Sequence, residues 1–155
     1  MKDIIQIFGP PCTGKGIQSK ILESTGLFKQ ISTGDLFSKI KQSMEPKDLA
    51  LEMIRLDSIG EYYPDELTVN AFKYELDNTY KIPIADGIPR TEDQIYMLNE
   101  FTDTRYIFNL KVPSKVCNRR MAHRATNDPN KSQELDPTIR KKRLIFYKNN
   151  TEPLL

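Results

Sequence analysis

The stretch FGPPCTGKGIQSK, from Phe8 to Lys20, constrains the fold more than any other part of the chain. Gly9, Gly14 and Lys15 have the G-x-x-x-x-G-K spacing of a loop whose backbone N–H groups turn inward around an anion. Such a loop needs a strand before it and a helix after it, because the helix N-terminus completes the anion site. Both are predicted. Ile4–Phe8 is apolar apart from Gln6 and is stopped by Gly9-Pro10-Pro11, the pattern of a buried strand. Ile17, Ile21 and Leu22 then recur at helical spacing as far as Gly26. The residue after the lysine is Gly16, where Ser or Thr commonly offers a hydroxyl to Mg²⁺. A metal here would be held by water, phosphate oxygens and a distant carboxylate, which Mg²⁺ accepts readily. Thr13 offers another hydroxyl inside the loop.

The remaining chain alternates strand and helix signals. Leu27–Ser32 reads as a short second strand, and Thr33 as the cap of a helix over 34–43 with Leu36, Phe37 and Ile40 inward. Pro46 breaks that helix. Asp48–Ile59 reads as a helix ended by Gly60, and Pro64 and Asp65 start another with Leu67, Ala71, Tyr74 and Leu76 inward. Lys81–Gly87 is a strand with a sharp turn, and Thr91 caps a helix to about Glu100. Arg105–Val112 is a fourth strand, stopped by Pro113, with Ser114 capping a basic helix to Arg124. ATNDPNKSQELDP is a loop or small flap. Pro137 starts a helix running toward the end of the chain. This order predicts an α/β fold, a doubly wound parallel sheet with helices on both faces and its ligand site at the carboxyl ends of the strands. The loops after Phe8, Ala85 and Val112 are expected to line one crevice.

With 155 residues, one domain is expected, and the net charge of +2 excludes a globally basic nucleic-acid binder. Positive charge is instead concentrated between Lys111 and Arg143, which suits phosphate but also a solvated helix face. Cys12 and Cys117 make neither a disulfide framework nor a metal set, which points to a reduced cytoplasmic setting. His123 has no evident acid–base partner. MKDIIQIFG is too short for a signal peptide, and no apolar run reaches the roughly 20 residues of a spanning helix, so no membrane partner is expected.

Three segments taken together, GPPCTGKG (Gly9–Gly16), ISTGDLF (Ile31–Phe37) and IADGIPRTEDQ (Ile84–Gln94), resemble the adenylate kinase family of nucleoside monophosphate kinases, whose usual forms are G-x-P-G-x-G-K-G, S-T-G-D-x-L-R and D-G-F-P-R-T-x-x-Q. A glycine after the loop lysine is normal there. The resemblance runs through the whole chain to RKKRLIFYKNNTEPLL. It implies a P-loop NTPase-like core (1–32, 78–122 and 137–155), a helical flap over the monophosphate at about 33–64 and a short lid at about 123–136. It implies reversible transfer from Mg-ATP to AMP, giving two ADP. Gly9, Pro11, Cys12, Thr13, Gly14, Lys15, Gly16 and Ile17, with Arg120 and Arg124, would bind ATP. Thr33, Gly60, Tyr63, Gly87, Arg90 and Gln94 would bind AMP. Lys15, Arg90, Arg120, Arg124 and Arg143 would be catalytic, and Asp86 would order the waters of Mg²⁺. Convergent guanidinium groups suit such a transfer, in which positioning and charge neutralisation do most of the work.

The sequence also departs from the family pattern. Ser38 stands where an arginine usually grips the AMP phosphate, leaving Lys39 or Lys41 to compensate. Ile88 replaces a phenylalanine. The lid has no arginine, Lys131 being the nearest substitute, and no cysteine quartet, so no zinc is expected. The family normally continues past TEPLL through a further strand and helix. The fourth strand is therefore expected to be an exposed edge, and the protein a monomer unless that edge pairs. Two alternatives stay open: a UMP or CMP kinase on the same fold, against which Thr33 and Thr91–Gln94 argue, and a catalytically impaired nucleotide-binding protein.

Overall fold

Strand β1 (Lys2–Phe8) is the axis of the molecule, and its sequence shows why. Ile4, Ile5 and Ile7 are all buried although successive side chains point to opposite faces, so both faces of the strand are covered. The computed structural model describes residues 1–44 and 47–155, and the helix break expected at Pro46 lies outside the described residues. β2 (Phe28–Ser32), β3 (Ile82–Asp86) and β4 (Thr102–Asn109) join β1 in a parallel sheet of order β2-β3-β1-β4.

Two apolar layers sandwich this sheet. On one face Ile4, Ile31, Ala85 and Ile88 pack with Val69, Phe72 and Leu76 of α4 (Asp65–Asp77) and Leu98 of α5 (Glu92–Asn99). On the other, Ile5, Ile7 and Ile84 pack with Leu22 of α1 (Lys15–Glu23), Phe28 and Leu110. This is the expected doubly wound fold. Between β2 and α4 lie α2 (Thr33–Ser43) and α3 (Lys47–Ser58). After β4 come α6 (Ser114–Asn127), a 3₁₀ segment (Pro129–Leu135) and α7 (Pro137–Phe146). No helix among the described residues is long and apolar enough to cross a membrane.

Several local expectations are corrected. In α1 the helix direction is set by the loop ahead of it, so Ser19 is buried and Leu22 packs on the sheet, while Ile17 and Ile21 are exposed. In α4 the buried stripe is Thr68, Val69, Phe72 and Leu76, and Tyr74 faces solvent. The cap of α2 is Ser32, the last residue of β2, whose side chain accepts from the Asp35 N–H; Thr33 is the first helical residue and is buried. Ser114 likewise starts α6 behind Pro113, whose carbonyl accepts from Val116 and Cys117, and α6 continues to Asn127. β4 begins three residues earlier than predicted because an edge strand tolerates the polar run Thr102–Thr104. After α7 the helix widens into a π turn (Tyr147–Thr151), which brings the Thr151 hydroxyl to the Arg90 carbonyl at 2.8 Å.

Among the described residues β4 pairs with β1 alone, and Tyr106, Ile107 and Phe108 are exposed. Its register steps from Ile4↔Thr104 to Ile5↔Tyr106, so Arg105 is an unpaired bulge residue, and its guanidinium pairs with Asp3 and Asp103.

The turn after α3 is docked on α7. Lys142 donates to the Ile59 carbonyl at 3.1 Å and pairs with Glu61 at 2.5 Å. Gly60 is buried at φ +71°, and a Cβ there would lie 3.2 Å from Ile139 Cγ2. Gly60→Ala combines a left-handed backbone penalty with this crowding, so it is expected to destabilise the chain by about 1–3 kcal/mol. Thermal denaturation checks this.

Candidate active site

The carboxyl ends of β1 and β3, the loop after β1 and the basic faces of α6 and α7 line one cleft of about 780 Å³, a size typical of ligand pockets. Gly9 can occupy its place only as glycine: at φ +144°, a Cβ would lie 2.7 Å from the Leu110 carbonyl oxygen and 2.8 Å from Thr13 Oγ1. The chain after β4 therefore backs the loop without itself lining the cleft, which corrects the expectation for the loop after Val112. Lys15 starts α1, and its Nζ donates to the carbonyls of Gly9 at 2.7 Å and Pro10 at 3.0 Å. Burial lowers the Lys15 ammonium to about 8, with Asp86 opposing and Arg90 adding to the shift. Arg120 ties α6 to the same loop, donating to the carbonyls of Cys12 at 3.3 Å and Thr13 at 3.4 Å. Burial also pushes the Cys12 thiol up, with Arg124 pulling it down.

Asp86 ends β3 and is buried. Its Oδ2 accepts from Gln30 Nε2 at 2.7 Å. Burial pushes the carboxyl up, while Lys15 and the Gln30 hydrogen bond pull it down. A Cβ at Gly16 would lie 3.6 Å from Asp86 Oδ2 and 3.6 Å from Gln30 Nε2, so the absent side chain leaves the carboxylate open toward the loop. Among the described residues, no three His, Cys, Asp or Glu converge. A single carboxylate beside a phosphate loop suits Mg²⁺, which keeps several waters and takes its other ligands from substrate phosphates.

A second, tighter pocket of about 80 Å³ opens beside the cleft under α2 and α3, and Thr33, Phe37, Asp57, Tyr63 and Gln94 are among its walls. Gly34, Tyr62, Arg90, Lys131 and Arg143 line both spaces. Arg90 Nε donates to the Gly87 carbonyl at 2.6 Å, and its guanidinium lies 4.8 Å from the Tyr62 ring, which in turn packs on Phe146 at 4.0 Å. Thr91 caps α5 by accepting from the Gln94 N–H, and Gln94 Oε1 accepts from the Arg90 N–H at 2.7 Å. Gln94 Nε2 donates to Asp65 at 2.5 Å, leaving one N–H and one lone pair for a ligand.

Charge is concentrated where the two spaces meet. Glu134 is fully buried and accepts from Arg124 at 2.6 and 2.7 Å and from Arg143 at 2.7 Å. Asp57 pairs with Lys41, accepts from the Tyr63 hydroxyl at 3.0 Å and from Arg143 at 3.5 Å. Burial, with the charges of Lys41, Arg124 and Arg143, lowers Lys131 to about 8. Burial and Asp57 push the Tyr63 hydroxyl well up.

The structure thus brings Lys15, Arg90, Arg120, Arg124, Arg143 and Asp86 to one cleft, with Gly9, Pro11, Cys12, Thr13, Gly14, Gly16, Ile17 and Gly87. Thr33, Tyr63, Arg90 and Gln94 line the side pocket. Gly60 lines neither and packs against Ile139. Ser38 turns back on its own helix, donating to the Gly34 carbonyl at 2.8 Å. Of the two compensating lysines, Lys39 is exposed and Lys41 reaches Asp57. The sequence reading missed Gln30, Asp57, Tyr62, Asp65 and Glu134. A polar Gln30 inside a strand was the one local signal; the others read as ordinary surface residues of helices and turns.

Comparison with known proteins gives the same answer as the geometry. The family model described as Adenylate kinase matches residues 7–155. The chain belongs to the adenylate kinase family. It is 35% identical over 158 residues to an adenylate kinase of Cyanothece sp. (strain PCC 7425 / ATCC 29141), covering 96% of this chain and 78% of that protein. It is 32% identical over 160 residues to one of Prochlorococcus marinus subsp. pastoris, covering 100% of this chain and 83% of that protein. A third, from Corynebacterium urealyticum, is 34% identical over 157 residues, covering 96% and 82%. The family is one of nucleoside monophosphate kinases, which are phosphotransferases. These relatives favour neither a pyrimidine nucleotide kinase nor an inactive binder.

The Lys15 shift has a signed consequence. Below about pH 8, folded and unfolded chains both carry its proton; between about 8 and the ordinary 10.5, the unfolded chain holds more. The contribution of Lys15 to stability therefore rises with pH across that window. A polyphosphate reverses the shift by favouring the ammonium. At about pH 8.5, ATP binding is expected to take up a proton, and at about pH 7 almost none. Calorimetry in buffers of different ionisation enthalpy measures the uptake; equal uptake at both values rules the linkage out.

Proposed function

We propose that this chain transfers a phosphoryl group reversibly from Mg-ATP to AMP, giving two ADP. The observation that carries this reading is the shared border of the two spaces. Arg90 and Arg143 face both the cleft that holds Lys15 and the pocket under α2 and α3. Two nucleotides bound in these spaces would meet end to end at that border. Lys15 would leave its own loop carbonyls for the β- and γ-phosphates, with Arg120 and Arg124 on the same chain of phosphates. Arg90, held by Gly87 and Tyr62, would grip the AMP phosphate as a fixed fork. Gln94 would offer its remaining N–H and lone pair to the adenine edge, with Thr33 and Tyr63 beside it. Asp86 would hold Mg²⁺ through water, and the ion would supply charge neutralisation across the phosphates. Such transfers depend on positioning and electrostatics more than on covalent chemistry.

The side pocket, at about 80 Å³, holds a few waters rather than a nucleotide. The flap of about 33–64 must therefore move outward for AMP to enter, and the lid of about 123–136 is the other moving part. Closure over both nucleotides would keep water from the transferring group. A cytoplasmic monomer acting on ATP and AMP fits two free thiols, Cys12 and Cys117.

The test is ADP formation from ATP and AMP with Mg²⁺, repeated with UMP, CMP and GMP. AMP is expected to be the preferred acceptor; preference for UMP or CMP would overturn the choice of base. Lys15→Ala is expected to lower turnover about 100-fold or more while the melting temperature stays close to that of the parent chain. Comparable turnover in the variant would remove Lys15 from the mechanism.

A further inference from the structure

Asp57 stands in the wall of the side pocket, where the function proposed above places a phosphate. A carboxylate there repels an incoming dianion. Its own partners explain why it is tolerated. Oδ2 pairs with Lys41 and accepts from the Tyr63 hydroxyl; Oδ1 accepts from Arg143. The side chains of Lys41, Asp57 and Arg143 are 8%, 15% and 14% exposed, so solvent screens these charges little. Four cations, Lys41, Arg124, Lys131 and Arg143, stand against two carboxylates, Asp57 and Glu134. The cluster still lacks negative charge, and the Arg143–Asp57 contact, at 3.5 Å, is long beside the 2.7 Å that Arg143 makes with Glu134. It is the contact most easily exchanged for a stronger anion.

We infer that Asp57 sets the affinity for the acceptor nucleotide: it is a built-in anion that shares Arg143 with Glu134 while the monophosphate is absent and gives up its contact when the monophosphate's phosphate arrives. The inference rests on the reaction proposed above. Affinity for the acceptor is then a difference between two anions competing for one guanidinium. The exchange is mechanical as well as electrostatic. Asp57 lies one residue from the end of α3, and Arg143 lies on α7, so trading partners removes one of the ties between them and loosens the end of α3, while Lys142 keeps its hold on the following turn.

Asp57→Asn keeps the shape and the acceptor for Tyr63 but removes the charge. The KM for AMP is expected to fall about three- to ten-fold, with the KM for ATP unchanged. An unchanged or higher KM for AMP overturns the inference, since a residue that merely held Arg143 in place would give that result. Failure of the two readings is distinguishable. A parent chain that forms no ADP removes the proposed reaction; a parent chain that forms ADP, beside an Asn variant with no lower KM, removes only the role of Asp57. Circular dichroism reports folding, and if the Asn variant is unfolded, Asp57→Ser is read by the same criteria. A measurement on the unaltered chain needs no variant. With saturating inorganic phosphate as the probe, amide exchange in Arg55–Ser58 is expected to quicken. Unchanged or slower exchange there overturns the inference.

Discussion

An excess of buried positive charge organises this protein. Guanidinium and ammonium groups from four helices and the lid segment point into one region, and few carboxylates answer them. Glu134 is fully buried and binds two guanidiniums at once; Asp57 binds a third kind of donor in the Tyr63 hydroxyl as well as two cations. Burying charge without partners costs far more than such pairs return, so these two carboxylates keep the cluster foldable in the absence of nucleotide. Lys15 does the same on a smaller scale by turning to its own loop carbonyls. The protein thus satisfies these cations with its own polar groups.

That arrangement connects the fold to the reaction. The parallel sheet brings the glycine loop and Asp86 to one rim because both follow adjacent strands. α6 and α7 then deliver arginines from distant sequence to the same rim. Each helix is tied down by a side chain from its middle: Arg120 on the loop carbonyls, Lys142 on the turn after α3.

Much of this was legible in the sequence. The loop, the capped helix after Pro89 and the basic helix after Pro113 are local signals, carried by spacing and by residues with one strong preference each. The parallel, doubly wound sheet could be expected from alternating strands and helices, but not its order β2-β3-β1-β4. What local signals did not carry was orientation. Ile17 and Ile21 match a helical stripe as well as Ser19 and Leu22 do, and only the loop geometry decides between them. Tyr74 faces solvent because the stripe that meets the sheet is Val69, Phe72 and Leu76. Gly60 was read from the family pattern as a ligand contact; its left-handed backbone and its closeness to Ile139 were not legible there. Asp57, Glu134 and Tyr62 look like ordinary surface residues until the helices bring their partners to them, so they were invisible without tertiary contacts.

The bulge at Arg105 bears on how the molecule behaves in a crowd. β4 presents a bare row of amides and carbonyls flanked by Tyr106, Ile107 and Phe108, a surface on which a stray extended segment could zip. One rung of that ladder is out of step, and a guanidinium held between Asp3 and Asp103 sits beside it. A foreign strand would find only short stretches in phase on either side of a fixed ion pair, which limits the ladder it could build.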